Sequence, residues 1–112
     1  AKRGGKVSLV LALALWLGQP QETIITWYGP GFYGQPTASG RIYTGQEMTA
    51  ATNDYKLGAI LLVCAEGKCV AVVVNDRMRQ DIRGVIDLSE RSFGLLSPHS
   101  RGRLEGVAWR VK

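Results

Sequence analysis

The chain has 112 residues and a formal net charge of +5 at pH 7, and its length suffices for one domain with a single core. Three of its fourteen basic side chains lie within residues 1–20, which leaves eleven basic against nine acidic side chains in the remainder. Because no cluster of cations with interleaved aromatic rings remains there, a nucleic-acid partner is excluded.

Residues 1–20 form a basic and apolar leader, in which A-K-R-G-G-K precedes an apolar run from Val7 to Leu17. This outline is typical of a secretory signal, although Trp16 stands where a small residue should precede the cleavage site. Eleven helical residues reach about 16 Å, about half of the hydrocarbon core of a bilayer, so a spanning helix is not expected. Three interpretations stay open: a cleaved signal, a leader foreign to the domain, or a retained segment 7–17 that contacts a membrane or neighbouring protein chains.

Residues 21–112 are predicted to form one domain of short strands. Thr23 to Tyr28 alternates β-branched and aromatic residues and predicts the first strand. The following G-P-G-F-Y-G-Q-P predicts a long surface loop, because glycine admits positive φ angles and proline lacks an N–H donor. Ser89 is predicted to cap a short helix that ends near Gly94. Further strands are predicted at residues 41–43, 48–51, 85–88 and 107–111, with a hairpin over 59–77.

Many short strands, glycine-rich turns and one short helix favour a small closed barrel over a sandwich. At the tip of the predicted hairpin, Cys64 and Cys69 flank A-E-G-K, with Gly67 in the turn. Such facing positions lie at distances that a disulfide can bridge, which predicts a bridge and an oxidising compartment; the alternative is two reduced thiols. Two cysteines and His99 are too few ligands for zinc, so neither a metal nor another cofactor is predicted.

Asp76 is the leading candidate for proton transfer. It ends the run V-V-V-N-D-R, where alternation places it on one face with Val72 and Val74. Partial desolvation there would favour the protonated carboxyl that a proton donor needs. The alternative is that the carboxylate only holds a neighbouring loop through backbone N–H groups.

The loop T-W-Y-G-P-G-F-Y-G-Q-P-T-A-S-G, residues 26–40, is rich in aromatic and small polar residues. Exposed rings in it could stack on sugars while the polar side chains bind sugar hydroxyls. Because Trp27 and Tyr28 alternate on a strand, one should be core and the other exposed. Trp109 is predicted to be core and His99 a loop residue. The candidate binding residues in this loop are Tyr28, Phe32, Tyr33 and Ser39, with Gln35 and Thr37 beside them.

Three motifs in this order resemble the double-psi β-barrel of the rare lipoprotein A family, bacterial wall-acting proteins more distantly related to barwin and expansins. The motifs are the 26–40 loop, V-V-V-N-D-R and V-I-D-L-S (residues 85–89), and the resemblance extends from Thr26 to Lys112. It implies a mainly β, six-stranded double-psi barrel with one short helix. It also implies that the protein is exported to the cell envelope or periplasm and acts on, or binds, peptidoglycan glycan strands, with Asp76 in the active site.

Two positions depart from the pattern of that family. Arg41 stands where the family has a glutamate after S-G, and Thr52 stands where it has a histidine after T-A-A. Neither residue can act as a carboxylate or an imidazole. Hydrolytic glycosidases need two carboxyl groups, whereas lytic transglycosylases can use one, because the sugar's own 6-hydroxyl is the nucleophile. Asp76 could therefore suffice, but a cationic Arg41 beside it would favour the carboxylate and weaken acid catalysis.

The aspartate of I-D-L-S, Asp87, resembles the aspartate that faces the glycan groove in expansin and barwin-like proteins; alternatively, it caps the helix that follows. We expect Asp76 to lie in a surface groove bordered by the 26–40 loop, with Arg41 and Thr52 within reach as further binding residues. Two hypotheses follow. The first is a lytic transglycosylase with a reduced site, and the second is a non-catalytic wall-binding or structural component of a larger assembly, such as a phage virion.

Overall fold

The computed structural model describes residues 19–112. The predictions about the apolar segment 7–17 therefore fall outside the described residues. Within residues 19–112, no helix is long and apolar enough to cross a membrane.

The described residues form six strands, one short α-helix and two single 3₁₀ turns. The strands close into a barrel in the order β1-β5-β2-β4-β3-β6, which confirms the predicted fold. The predicted strand at residues 41–43 is reduced to a single bridge between Pro36 and Ile42. The elements are β1 (Gln21–Tyr28), β2 (Thr49–Ala51), β3 (Ile60–Ala65), β4 (Lys68–Asp76), β5 (Val85–Ser89), α1 (Glu90–Gly94) and β6 (Leu104–Arg110), with 3₁₀ turns at Pro30–Phe32 and His99–Arg101.

Two of the strand pairs are parallel, β1 with β5 and β2 with β4, and the others are antiparallel. Parallel strands need a crossover connection rather than a tight hairpin. The loops that follow β2 and β4 contact each other. Asn53 joins them, because its side-chain amide donates to the carbonyls of Arg79 and Ile82 while its oxygen accepts from the N–H of Met78. This lock fixes the 77–84 loop, which forms one wall of the site described below.

The core lies inside the barrel and continues under α1. Ser89 caps that helix by accepting a hydrogen bond from the N–H of Ser92, as the sequence predicts. The helix inserts Phe93, which is fully buried. Burial of aliphatic side chains from every strand provides the main stabilisation of the barrel. The largest buried aliphatic residues are Ile25, Leu61, Val63, Val72, Val74, Ile86, Leu88 and Leu96.

In the final strand, the alternation of inward and outward side chains is shifted by one residue from the predicted one. Leu104 and Ala108 are buried, whereas Trp109 is only half-buried, so the prediction of Trp109 as a core residue is wrong. Gly106 explains the phase, because a Cβ at this position would lie 2.1 Å from the carbonyl oxygen of Cys64. Only a residue without a side chain fits against β3 there, and its neighbours two positions away then face the core.

Cys64 and Cys69 face each other in the register of β3 and β4 and are joined by a disulfide, which confirms the predicted bridge. The turn between the two strands contains Glu66 and Gly67 with φ angles of 56° and 76°. An ion pair from Glu66 to Arg101 joins the hairpin tip to the second 3₁₀ turn.

Candidate functional site

A groove of about 290 Å³ lies between the end of β1, the end of β4 and the middle of β5. Its floor is a small cluster in which Tyr28, Tyr43 and Ala51 are buried and Met78 packs against them. Strand pairing explains why two carboxylates meet there, because Ala51 is the register partner of Asp76 on β4 and of Asp87 on β5. Two strand spacings separate the Cα atoms of these aspartates by about 10 Å, and the small Ala51 side chain between them leaves the groove open.

Asp76 enters the groove because of a β-bulge. Val74 pairs with Ala50 and Asp76 pairs with Ala51, so Asn75 is the extra residue on β4. The bulge ends the alternation that places Asp76 on one face with Val72 and Val74, and the buried residue after Val74 is instead Asn75.

One carboxylate oxygen of Asp76 is occupied by the backbone. Its Oδ1 accepts from the N–H groups of Ala38 and Arg77, each at 2.8 Å. These bonds tie the 26–40 loop to the end of β4. Asp76 therefore has the loop-holding role that the sequence leaves as an alternative, and it also lines the groove.

Asp87 is the carboxyl group in the groove whose pKa responds to its burial. Burial raises the pKa of Asp87; the hydrogen bond from the Thr26 hydroxyl to Oδ1, at 2.7 Å, opposes this rise, and the charge of Asp76 adds to it. Asp87 does not cap α1, since Ser89 holds that position. Of the two interpretations of I-D-L-S, the structure supports the one in which the aspartate faces the groove.

The aromatic residues divide into groove walls and loop supports. The Tyr28 ring stacks on Tyr43 at a centroid distance of 4.1 Å and meets the edge of Phe32 at 5.7 Å. Phe32 remains 55% exposed and is the ring in the groove that is open to a ligand. Trp27 is half-buried and its indole N–H donates to the carbonyl of His99. The prediction that one of Trp27 and Tyr28 is exposed is therefore wrong, because the helix and the second 3₁₀ turn cover Trp27.

Tyr33 and Ser39 brace the loop and do not line the groove. The Tyr33 hydroxyl donates to the Glu90 carboxylate. The Ser39 hydroxyl bonds the Thr37 hydroxyl at 2.9 Å, and its N–H donates to the carbonyl of Asn75. The contacts to Glu90 and Asn75 hold the 26–40 loop against the barrel, whereas the contact between Ser39 and Thr37 lies within the loop.

Arg41 and Thr52, which replace the glutamate and histidine of the family pattern, also lie outside the groove lining. The Arg41 guanidinium binds both carboxylate oxygens of Glu47, and this hydrogen-bonded pair lowers the pKa of Glu47. Thr52 is fully buried, and its hydroxyl donates to the carbonyl of Val85 at 2.9 Å. Only its backbone N–H meets Asp76, at the carbonyl oxygen.

The structure thus brings together Tyr28, Phe32, Asp76 and Asp87 among the candidate residues. It adds a wall from the 77–82 loop, including Arg77 and Met78, that sequence reasoning missed. Arg77 is fixed there because its guanidinium donates to the carbonyls of Thr52 and Tyr55, each at 2.6 Å. The position of R-M-R directly after V-N-D is the signal that could have indicated this wall.

A larger cavity of about 580 Å³ lies at the other end of β1, beside Gln21, Asn53 and Arg83. It contains none of the candidate site residues, whereas the smaller groove contains both interacting carboxyl groups; we therefore assign the site to the groove. Among residues 19–112, no group of three or more histidine, cysteine, aspartate or glutamate side chains could hold a metal ion.

Residues 21–107 match the sequence model of the family described as lytic transglycolase. The chain belongs to this family. It is 37% identical to the endolytic peptidoglycan transglycosylase RlpA of Campylobacter jejuni over 76 aligned residues. These residues cover 66% of this chain and 28% of that protein. It is 44% identical over 66 residues to RlpA of Pseudomonas aeruginosa, or 57% of this chain and 19% of that one. The chain thus spans about a quarter of these relatives or less.

Solved structures share the fold. A Streptomyces papain inhibitor superposes with a TM-score of 0.70 at 26% identity over 84% of this chain and 94% of the inhibitor. A Clavibacter michiganensis expansin superposes with a TM-score of 0.69 at 23% identity, over 84% of this chain and 51% of the expansin. Together with the family match, these neighbours confirm the double-psi barrel and the resemblance to rare lipoprotein A.

Proposed function

We propose that the groove binds glycan strands of peptidoglycan in the cell envelope or periplasm and cleaves them slowly by lytic transglycosylation. The observation that carries this proposal is the partly buried Asp87 carboxyl, whose raised pKa favours a protonated acid, in one groove with Asp76. Membership of the lytic transglycolase family supports the glycan substrate.

Asp87 is the proton donor in this proposal. It gives its proton to the glycosidic oxygen as the bond from that oxygen to C1 breaks. The resulting Asp87 carboxylate takes the proton of the sugar's 6-hydroxyl, whose oxygen bonds C1 and closes a 1,6-anhydro ring. Asp76, held by two backbone N–H groups, places a carboxylate near the positive charge that develops on the sugar. The exposed Phe32 ring offers a surface on which a sugar can stack.

The slow rate follows from the groups that the groove lacks rather than from Arg41. Arg41 is paired with Glu47 and does not line the groove, so it gives no reason for weak acid catalysis. Among the described residues, however, no histidine or glutamate lines this groove. Loss of a second proton-transfer group lowers a rate by about 10² to 10⁴.

The test is mass spectrometry of sacculi digested with the full 112-residue chain. The wild type should release 1,6-anhydromuropeptides, and Asp87→Asn should lower the yield by about 100-fold or more, because an amide cannot donate the required proton. Glu105→Gln removes an exposed acid on β6 that does not line the groove, and should leave the yield unchanged. Undiminished release by Asp87→Asn would refute Asp87 as the acid.

The second candidate is a non-catalytic wall-binding or structural component of a larger assembly, such as a phage virion. It is favoured by the occupied Oδ1 of Asp76 and by Thr52, which is buried where the family pattern has a histidine. The same experiment separates the two candidates. Sedimentation of the wild-type chain with sacculi, without anhydro products, would select binding over cleavage.

A further inference from the structure

Tyr28 lines the groove, and its buried hydroxyl has no hydrogen-bond partner among residues 19–112. The residue as a whole is only 8% exposed. A buried hydroxyl without a partner is destabilising and is uncommon in native proteins, so its presence in a candidate site calls for a partner that the protein does not itself supply.

The packing of Tyr28 prevents this hydroxyl from finding a partner elsewhere. Tyr43 covers one face of the ring and Phe32 meets it edge-on. The Tyr43 hydroxyl also donates to the Tyr28 carbonyl and accepts from the N–H of Glu90, so the neighbouring tyrosine is fully satisfied. Because Tyr28 is buried and Tyr43 stacks on its ring, it does not offer a ligand an open stacking surface, and its hydroxyl is the group that remains without a partner.

The surroundings of the hydroxyl define its chemistry. Burial raises the pKa of Tyr28, and the charge of the nearby Asp76 carboxylate adds to this rise, so the phenol keeps its proton. It can therefore act as a donor in a groove that the Asp76 carboxylate also lines. A ligand group that accepts from a phenol and donates to a carboxylate is a hydroxyl, which a glycan carries on every sugar.

We propose that the Tyr28 hydroxyl is a specificity-determining contact that donates a hydrogen bond to one sugar hydroxyl, which in turn donates to the Asp76 carboxylate. This inference rests on the proposed function of the groove as a glycan site. It replaces the stacking role that the sequence suggests for Tyr28 with a polar role, and it leaves stacking to Phe32.

Tyr28→Phe is the direct test, because it removes only the hydroxyl and keeps the ring between Tyr43 and Phe32. In the full chain, its Tm should equal or exceed that of the wild type, since a partnerless buried hydroxyl is lost. Its affinity for soluble glycan fragments of peptidoglycan, measured by calorimetry, should fall about three- to tenfold, the range of one neutral hydrogen bond.

The chain offers a matched control. Tyr55 carries a second buried hydroxyl without a partner among the described residues, but it lies beside the larger cavity and outside the groove. Tyr55→Phe should leave glycan affinity unchanged and affect Tm in the same direction. In an Asp76→Asn background the loss caused by Tyr28→Phe should shrink, because both side chains bind the same sugar hydroxyl.

The outcomes separate this inference from the function on which it rests. If the wild-type chain binds no glycan fragment, the proposed function fails and the inference fails with it. If the wild type binds and Tyr28→Phe binds equally well, the inference alone is overturned. An equal loss in Tyr28→Phe and Tyr55→Phe, or an undiminished loss in the Asp76→Asn background, also refutes the bridged contact.

Discussion

Replacing Cys64 and Cys69 together by serine tests what the hairpin disulfide contributes to stability. The bridge joins residues five positions apart, so it closes a short loop of the unfolded chain. In the chain-entropy treatment of cross-links, a loop of that size contributes about 2 kcal/mol to the free energy of unfolding. For a domain of this size, each kcal/mol corresponds to about 4–8 °C in Tm. We therefore expect the double variant to unfold about 10 °C below the wild type.

The assay is thermal unfolding followed by circular dichroism, with and without a reducing agent. Reduction should lower the Tm of the wild type to that of the serine variant and should leave the variant unchanged. Glycan binding should be unaffected at temperatures where both are folded, because the hairpin tip contacts the second 3₁₀ turn through Glu66 and Arg101 and does not line the groove.

An unchanged Tm in the serine variant would refute this reasoning. It would mean that the turn holds the two strand ends together even in the unfolded ensemble, so that the covalent bond removes little entropy. A loss of several times 2 kcal/mol would refute it in the other direction, because loop closure alone cannot supply that much.

Two further predictions concern the groove and the last strand. In calorimetric scans, Asp87→Asn should raise Tm at pH 7 and lose that gain near pH 3. Burial raises the folded-state pKa of Asp87, so ionisation of Asp87 destabilises the folded protein above that pKa. This destabilisation is absent below the unfolded-state pKa of about 3.9, where the carboxyl is protonated in both states. A gain independent of pH would contradict this. Gly106→Ala should lower the free energy of unfolding in urea by about 3 kcal/mol, because its Cβ meets the Cys64 carbonyl. Gly31→Ala, with open space at its Cβ, should cost little, and equal losses in both would refute the steric argument.

The sequence by itself determined the features that depend on neighbouring residues. Alternation predicted most strands, because a strand half-buried in a barrel needs apolar residues at every second position. The symmetric placement of Cys64 and Cys69 predicted the disulfide, since hairpin register follows from the turn. Ser89 predicted the helix start because an N-cap acts within one turn. The ordered motifs indicated the fold and the family.

Only the tertiary structure decided how the site is built. The bulge at Asn75 directs Asp76 into the groove, and strict alternation cannot predict an inserted residue. Gly106 sets the phase of β6, because its backbone lies too close to β3 for a side chain. The raised pKa of Asp87 and the partnerless hydroxyl of Tyr28 arise from burial among strands distant in the sequence. Desolvation depends on which segments pack around a group, and that is known only once the barrel has closed.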